Sequence, residues 1–420
     1  MRSRRIRIIL AIAGLAILAA FLFDLGWQPA GEIPDSHVQL PQRIAPNPYL
    51  LQLLTEYEEH TLKSLVRTGA PGVAIAVVKD TSVVYLKGFG VRQVGLPDSI
   101  DVHSVFRLAS VSKCFAPVLT GLLVEEGKLS WDDPVVRYVP DFALKKYTDS
   151  VTIRHVLSHT TGLPYHTYTN LIEDGLDLKS MLARLRDVDL TDKPGEIYSY
   201  QNVAFSLIAE VIKGATGKSY EQLMKERIFQ PLDMDDASIT YQDILLNENV
   251  ARPHHLWRKG WRVTSINDTY YNVSPAGGIN ASISDMAKWM QILVAGNHGF
   301  IGSETLDEIF TPFVKAKSKN RNFRKWVERA DSHYALGWRV LNFKKDTLLY
   351  HGGYVNGYRS EIAIDRANKI GICVLSNGPG SMINNSVPYF FHLYYDQQDS
   401  ISYWDYEHRI MAAESKTIKR

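Results

Sequence analysis

The stretch RLASVSKCF, Arg107 to Phe115, holds Ser110 and Lys113 three residues apart, between a run that reads as loop and a run that reads as helix. On an α-helix, positions i and i+3 share a face. A helix starting near Ser110 would aim its hydroxyl and the Lys113 amine into the same space, beside free backbone N–H groups and the positive end of the dipole. Such a place makes a serine nucleophilic. An N-capping serine followed by a surface lysine has the same spelling, and S-x-x-K alone is weak, since roughly two chance occurrences are expected in a chain this long.

Around that stretch the composition is ordinary for a globular protein. Its 420 residues are 45% hydrophobic and 22% charged, with a formal net charge of +2. It can bury a large core. The one basic cluster outside the N-terminus, VKAKSKNRNFRK, reads as a solvated loop, so nucleic acid is not an expected partner. Cys114 and Cys373 are too far apart in sequence to be assigned as a disulfide or metal site, and Cys114 reads as a buried core residue.

Arg2, Arg4, Arg5 and Arg7 precede an uncharged run from Ile8 to Phe23. That is a positive region followed by an apolar one, the layout of an export segment. Residues 1–24 are expected to be a signal-anchor or signal segment, with an uncleaved membrane anchor favoured because no convincing cleavage site follows. Positive-inside places the remainder outside the cytoplasm: periplasmic in a bacterium, secreted if the segment is cleaved. Residues 25–47 read as a proline-containing tether, and 396–420 as a C-terminal tail.

PYLLQLLTEYEEHTLKSLV has apolar residues at helical spacing. GVAIAVVKDTSVVYLKGFGVR alternates about a KDTS turn and predicts a hairpin. Strand patterns return at YALGWRVLNF, DTLLYHGG and RSEIAIDRANKIGICVLSN, before an aromatic helix, SVPYFFHLYY. Strands at both ends with helices between predict one sheet built from both termini and a helical insertion. The parts expected within 48–395 are an α/β portion, 48–115 and 275–395, and a helical portion, 116–274.

A serine that attacks a carbonyl needs a base, a second proton carrier and an oxyanion hole. PGEIYSYQN offers Tyr200 and Asn202, and a lysine cation nearby would ease loss of the phenol proton. Y-x-N also occurs at Tyr168, Tyr270 and Tyr354, and the pattern does not choose among the four. The rigid loop set by Pro194-Gly195 favours Tyr200. YHGGYVNGYRS places His351, Gly352 and Gly353 at a strand end, where glycines would let a substrate backbone approach. The N–H of Tyr354 would then pair with that of Ser110 as an oxyanion hole. His155 and His159 are four apart but lack the Glu of H-E-x-x-H, so no metal is expected. The aromatic cluster WRKGWRV around Trp257 and Trp261 either packs or rims a cleft.

Taken together and in order, APGVAIAVV, FRLASVSK, GKLSWDDPVVRYVP, IRHVLSHTTGLP, PGEIYSYQN, PAGGINASISDMAKWM, YALGW and HGGYVNGY resemble the serine β-lactamase and penicillin-binding protein superfamily, in its class C β-lactamase-like branch. The resemblance runs from about Leu50 to Tyr394. It implies a mainly antiparallel sheet flanked by helices, with an inserted helical subdomain. It implies Ser110 as acylated nucleophile, Lys113 as its proton partner, Tyr200 as general base or acid, and Asn202 as a substrate-amide ligand. It further implies His351 to Gly353 as the third motif on an edge strand, and no cofactor. Most β-lactamases of this type carry Lys at that motif; His351, largely neutral at pH 7, fits the peptidase and esterase branches better. The expected substrate is a small molecule or peptide with an amide, ester or lactam bond, and a D,D-peptidase-like enzyme is the leading expectation. A carboxylesterase, a β-lactamase and a penicillin-binding sensor that acylates without turnover are the alternatives.

Overall fold

The computed structural model describes residues 47–258, 260–296, 299–316, 332–343 and 346–418. The expected export segment, the tether up to residue 46 and most of the basic cluster at 314–325 lie outside the described residues. Among the described residues no helix is long and apolar enough to cross a membrane.

The first helix, α1 (Pro48–Thr68), starts where Asn47 accepts the Leu50 N–H on its side chain at 2.7 Å. It ends at Gly69, whose φ of 60° a side chain would resist. Strands β1 (Gly72–Lys79) and β2 (Ser82–Gly90) form the expected hairpin. Six further strands come from the last third of the chain: β3 (Val314–Lys315), β4 (Ser332–Tyr334), β5 (Arg339–Phe343), β6 (Asp346–Val355), β7 (Tyr358–Asp365) and β8 (Ile370–Ser376). They make one eight-stranded sheet in the order β2-β1-β8-β7-β6-β5-β4-β3, antiparallel throughout. The run YALGWRVLNF, expected as one strand, is broken at Ala335–Trp338 into β4 and β5.

Both faces of this sheet are covered, which is why β1 and β8 read as continuous apolar runs. On β1, Val73, Ile75 and Val77 pack with Leu53, Tyr57, Phe390 and Phe391, from α1 and the last helix. Ala74, Ala76 and Val78 face the opposite core, with Phe115, Leu119 and Trp289. That last helix runs from Ser381 to Ile418, well past the aromatic segment that announces it. Between β2 and β3 lie mostly short helices, with α2 (Ala116–Glu125), α3 (Asn202–Thr216) and α4 (Ile283–Ala295) the longer ones. The site sits where this helical part meets the sheet.

Candidate active site

The Ser110 segment is a 3-10 turn, Ala109–Cys114, rather than the start of an α-helix, which begins only at Ala116. With three residues per turn, positions i and i+3 stack one above the other. Ser110 and Lys113 are therefore aligned more closely than α-helical spacing would bring them. Ala109 enters the turn at φ 48°, a conformation that costs a non-glycine residue about 1–3 kcal/mol. The surroundings hold it there. Leu108 donates its N–H to the Ile279 carbonyl at 2.9 Å and accepts from Ser360 Oγ at 2.6 Å. Arg107 is buried, donates to the carbonyls of Asn267 and Thr269, and lies over the Tyr271 ring.

Lys113 is fully buried. Its Nζ lies 2.7 Å from Asn202 Oδ1, 2.8 Å from the Ala276 carbonyl and 3.4 Å from Ser110 Oγ. Burial pulls its pKa well below that of a free lysine, and the Arg339 guanidinium adds to the effect. The Tyr200 hydroxyl donates to Ser110 Oγ at 2.9 Å. Its proton is held more tightly than in a free phenol, because burial outweighs the Ser110 hydrogen bond and the Arg339 charge. The expectation of an eased phenol proton is thus reversed: desolvation penalises the tyrosinate, and the buried Lys113 amine is itself driven towards neutrality.

The loop before α3 is fastened on both sides. The Gln201 N–H donates to His159 Nδ1 at 3.2 Å, and the His166 N–H donates to the Tyr200 carbonyl at 3.0 Å. The His159 ring lies 4.4 Å from that of Tyr200. Asn202 opens α3 with its side-chain oxygen committed to Lys113. Of the tyrosines that open the four Y-x-N segments, Tyr200 is the one whose hydroxyl bonds Ser110 among the described residues. Tyr168 donates to the Arg184 carbonyl, Asn272 bonds the carbonyls of Ile172 and Leu176, and the Tyr354 side chain is 54% exposed.

The third segment lies on β6, an internal strand rather than an edge strand. β6 pairs with β7 along Leu349–Val355 but with β5 only as far as Tyr350. Among the described residues, 351–355 therefore have no strand partner on the β5 side, and an edge opens inside the sheet. His351 is buried, with Nδ1 3.0 Å from the Gly352 carbonyl and Nε2 3.1 Å from the Tyr334 hydroxyl. A carbonyl only accepts, so Nδ1 carries the hydrogen and Nε2 accepts from Tyr334. Burial, with Arg339 and Lys113 nearby, holds the imidazole neutral, its pKa well below the usual value.

The two glycines admit the protein's own atoms. A Cβ on Gly353 would lie 2.3 Å from the Leu108 carbonyl oxygen and 2.9 Å from the Ser110 nitrogen; one on Gly352 would lie 2.6 Å from Tyr350 Oη. The side-chain-free strand is thus what lets β6 pass directly beside the Ser110 amide.

Arg339 carries no motif and was not foreseen. Its guanidinium lies 5.6 Å from the Tyr200 ring centroid, 5.8 Å from that of Tyr198 and 5.6 Å from that of Tyr334. Its position immediately after YALGW is the only sequence signal that pointed to it. His155 accepts the Thr152 N–H in a capping box and so has a structural role. No group of three metal-ligating side chains occurs among the described residues. Cys114 and Cys373 are buried free thiols. Trp261 packs and donates to the Thr68 carbonyl, while Trp257 is 60% exposed.

A family profile described as Beta-lactamase matches residues 52–389. The chain is 26% identical over 332 residues to the unguisins hydrolase ungD' of Aspergillus campestris, covering 74% of this chain and 59% of that protein. It spans about three fifths of the length of such curated relatives. Among solved structures, the octameric penicillin-binding protein homologue from Pyrococcus abyssi superposes with a TM-score of 0.71 at 27% identity, covering 81% of this chain and 76% of that one. A D-amino acid amidase from Ochrobactrum anthropi, complexed with L-phenylalanine amide, superposes at 0.69 with 19% identity, covering 82% and 99%, a likeness of fold.

Proposed function

The chain belongs to the beta-lactamase family, and from that premise we propose that it is a serine hydrolase working through an acyl-Ser110 intermediate. The observation that carries this is the shared contact of Ser110 Oγ with Tyr200 Oη at 2.9 Å and Lys113 Nζ at 3.4 Å. A neutral Lys113 amine has two N–H donors, and Asn202 Oδ1 and the Ala276 carbonyl accept them. Its lone pair is then left for the Ser110 proton. As Oγ attacks the substrate carbonyl, that proton passes to Lys113, and the N–H groups of Ser110 and Tyr354 receive the oxyanion. Tyr200 relays a proton to the leaving group as the scissile bond breaks. Water then attacks the acyl ester, gives its proton back through the same pair, and Ser110 is restored. Asn202, His351 and the Gly352-Gly353 strand form the substrate-facing wall.

The substrate class we propose is a D,D-peptide or related amide, with penicillins as slow acylating agents. The similarity to a penicillin-binding protein homologue supports this. A carboxylesterase is the second reading, favoured by the neutral, buried His351, which supplies no fixed cation for a substrate carboxylate. We place the domain outside the cytoplasm and tied to a membrane, on the strength of the arginine-flanked apolar run Ile8–Phe23.

The test follows fluorescent-penicillin labelling of the full chain over time beside Ser110→Ala. Label that persists on the wild type alone supports the peptidase reading, and label that appears and is lost with product release supports a β-lactamase. Hydrolysis of a chromogenic ester without labelling moves the assignment to an esterase. Equal behaviour of the two proteins towards every substrate sinks it. Protease accessibility of the intact-cell protein tests the location.

A further inference from the structure

We propose that Arg359 and Glu361, an ion pair on the face of the sheet turned away from Ser110, are positioning residues for the oxyanion donor at Tyr354. The inference rests on the reading above, in which the Tyr354 N–H receives the oxyanion. On β7 successive side chains alternate between faces. Ser360 points to the site and bonds the Leu108 carbonyl, so Arg359 and Glu361 point to the back. Their side chains are 15% and 1% exposed, and Arg359 Nη2 donates to Glu361 Oε1 at 2.6 Å.

The other arm of the guanidinium, Nη1, lies 3.3 Å from the Gly353 carbonyl oxygen. That carbonyl and the Tyr354 N–H are the two ends of one planar peptide group, directed to opposite sides of the strand. A cationic donor on the oxygen draws electron density from the nitrogen and makes its hydrogen more positive, as hydrogen bonds in series do. It also fixes the plane of the peptide. Glu361 in turn fixes the guanidinium. Gly352 belongs to the same device: a Cβ there would lie 3.2 Å from Arg359 Nη2. The missing side chain gives the pair its place directly behind the strand.

Stability alone is a poor reason for such a pair. A buried ion pair gains little over an apolar pair of similar size, and Arg359 Nε has no hydrogen-bond partner among the described residues.

The experiment compares the full-length wild type with Arg359→Met/Glu361→Met, which removes both charges together. The readouts are kcat and KM for a chromogenic ester and the inhibition constant of phenylboronic acid, whose Ser110 adduct carries a tetrahedral oxyanion mimic. Expected are a roughly tenfold fall in kcat, KM within twofold, and boronate affinity falling by the same factor as kcat. Arg359→Lys, which keeps the charge, recovers part of the loss and serves in its own right should the double variant not fold. Unchanged kcat and boronate affinity in a folded variant, or a rise in KM alone, overturn the proposal. A wild type whose turnover does not depend on Ser110 overturns the hydrolase reading itself, and this inference with it.

Discussion

Gly352 and Gly353 are neighbours on β6 and clear space on opposite faces of the sheet, Gly352 for Tyr350 and Arg359 behind, Gly353 for Leu108 and Ser110 in front. Their substitutions therefore differ in kind. Gly353→Ala pushes the strand away from the Ser110 amide and should cost roughly 10²–10³-fold in kcat, as loss of an oxyanion donor does. Gly352→Ala should cost stability, about 1–3 kcal/mol by overpacking, and no more than the roughly tenfold in kcat that displacing Arg359 brings. Paired measurements of kcat and urea midpoint check this; equal activity loss in both variants contradicts it.

As the proposed proton acceptor, Lys113 should set the acid side of the activity profile. The amine accepts a proton only in its neutral form, and burial lowers its pKa well below 10.5. Turnover should therefore fall as pH drops through that lowered pKa, with no matching loss near pH 10 from Tyr200, whose proton is held more tightly than usual. Lys113→Arg keeps a cation that cannot act as base and should cost about 10²–10⁴-fold. A variant within tenfold of wild type removes Lys113 from the proton path.

His159 is neutral and buried beneath Tyr200, its pKa held well below 6.5 by burial, with nearby Lys113 and Arg339 adding to it. As pH falls below 6.5 the unfolded chain takes up a proton that the folded chain refuses. The stability this group contributes is complete above pH 6.5 and is lost as pH falls towards its folded pKa. His159→Phe should flatten the acid limb of stability by up to about 1.4 kcal/mol per pH unit. At pH 7 it should cost about 1–3 kcal/mol, because the Gln201 N–H loses its acceptor. Urea titrations at pH 5 and 7 separate the two effects; an unchanged pH slope refutes the first.

How much of this was legible in the sequence depends on what each residue had to reveal. The hairpin about KDTS, the return of strand patterns after the helical stretch and the order of the motifs carried the fold, because alternation and spacing are local. The choice of Tyr200 among four Y-x-N segments came from its rigid loop, a local cue as well. The 3-10 turn was hidden because S-x-x-K fits either helix. The tightened Tyr200 proton was hidden because His159, His351 and Arg339, distant in sequence, pack around its ring. Arg339 was missed because a single arginine has no spacing to read. The glycines of the third motif were understood as room for substrate, since nothing in the sequence says that Leu108 or Tyr350 comes so close.

Asp285 works against neutral pH. It accepts the Ser282 N–H in the capping box of α4, yet burial pushes its pKa up to about 6, with Asp236 adding to it. The folded chain keeps a proton that the unfolded chain has lost. Its contribution is present below pH 3.8 and is lost as pH rises to about 6. Asp285→Asn keeps an acceptor for Ser282 without the charge. It should raise stability at pH 7 by about 1–3 kcal/mol and give no gain at pH 4. A gain of equal size at both pH values contradicts the account.

The pairing of β1 with β8, Val73 beside Ser376, joins strands about three hundred residues apart. On the ribosome, β1 and β2 emerge early and form their hairpin, and then wait on the order of 15–60 s of synthesis for the partner of β1. Throughout that interval the Val–Ala–Ile–Ala–Val edge of β1 is open to wrong partners. Completion of the sheet, and with it the seating of β6 and β7 against the Ser110 turn, is a late event in the life of the chain. A protein truncated before Ile370 lacks the strand that lies between β1 and β7, so loss of the C-terminal eighth should silence the proposed nucleophile Ser110, more than two hundred residues upstream.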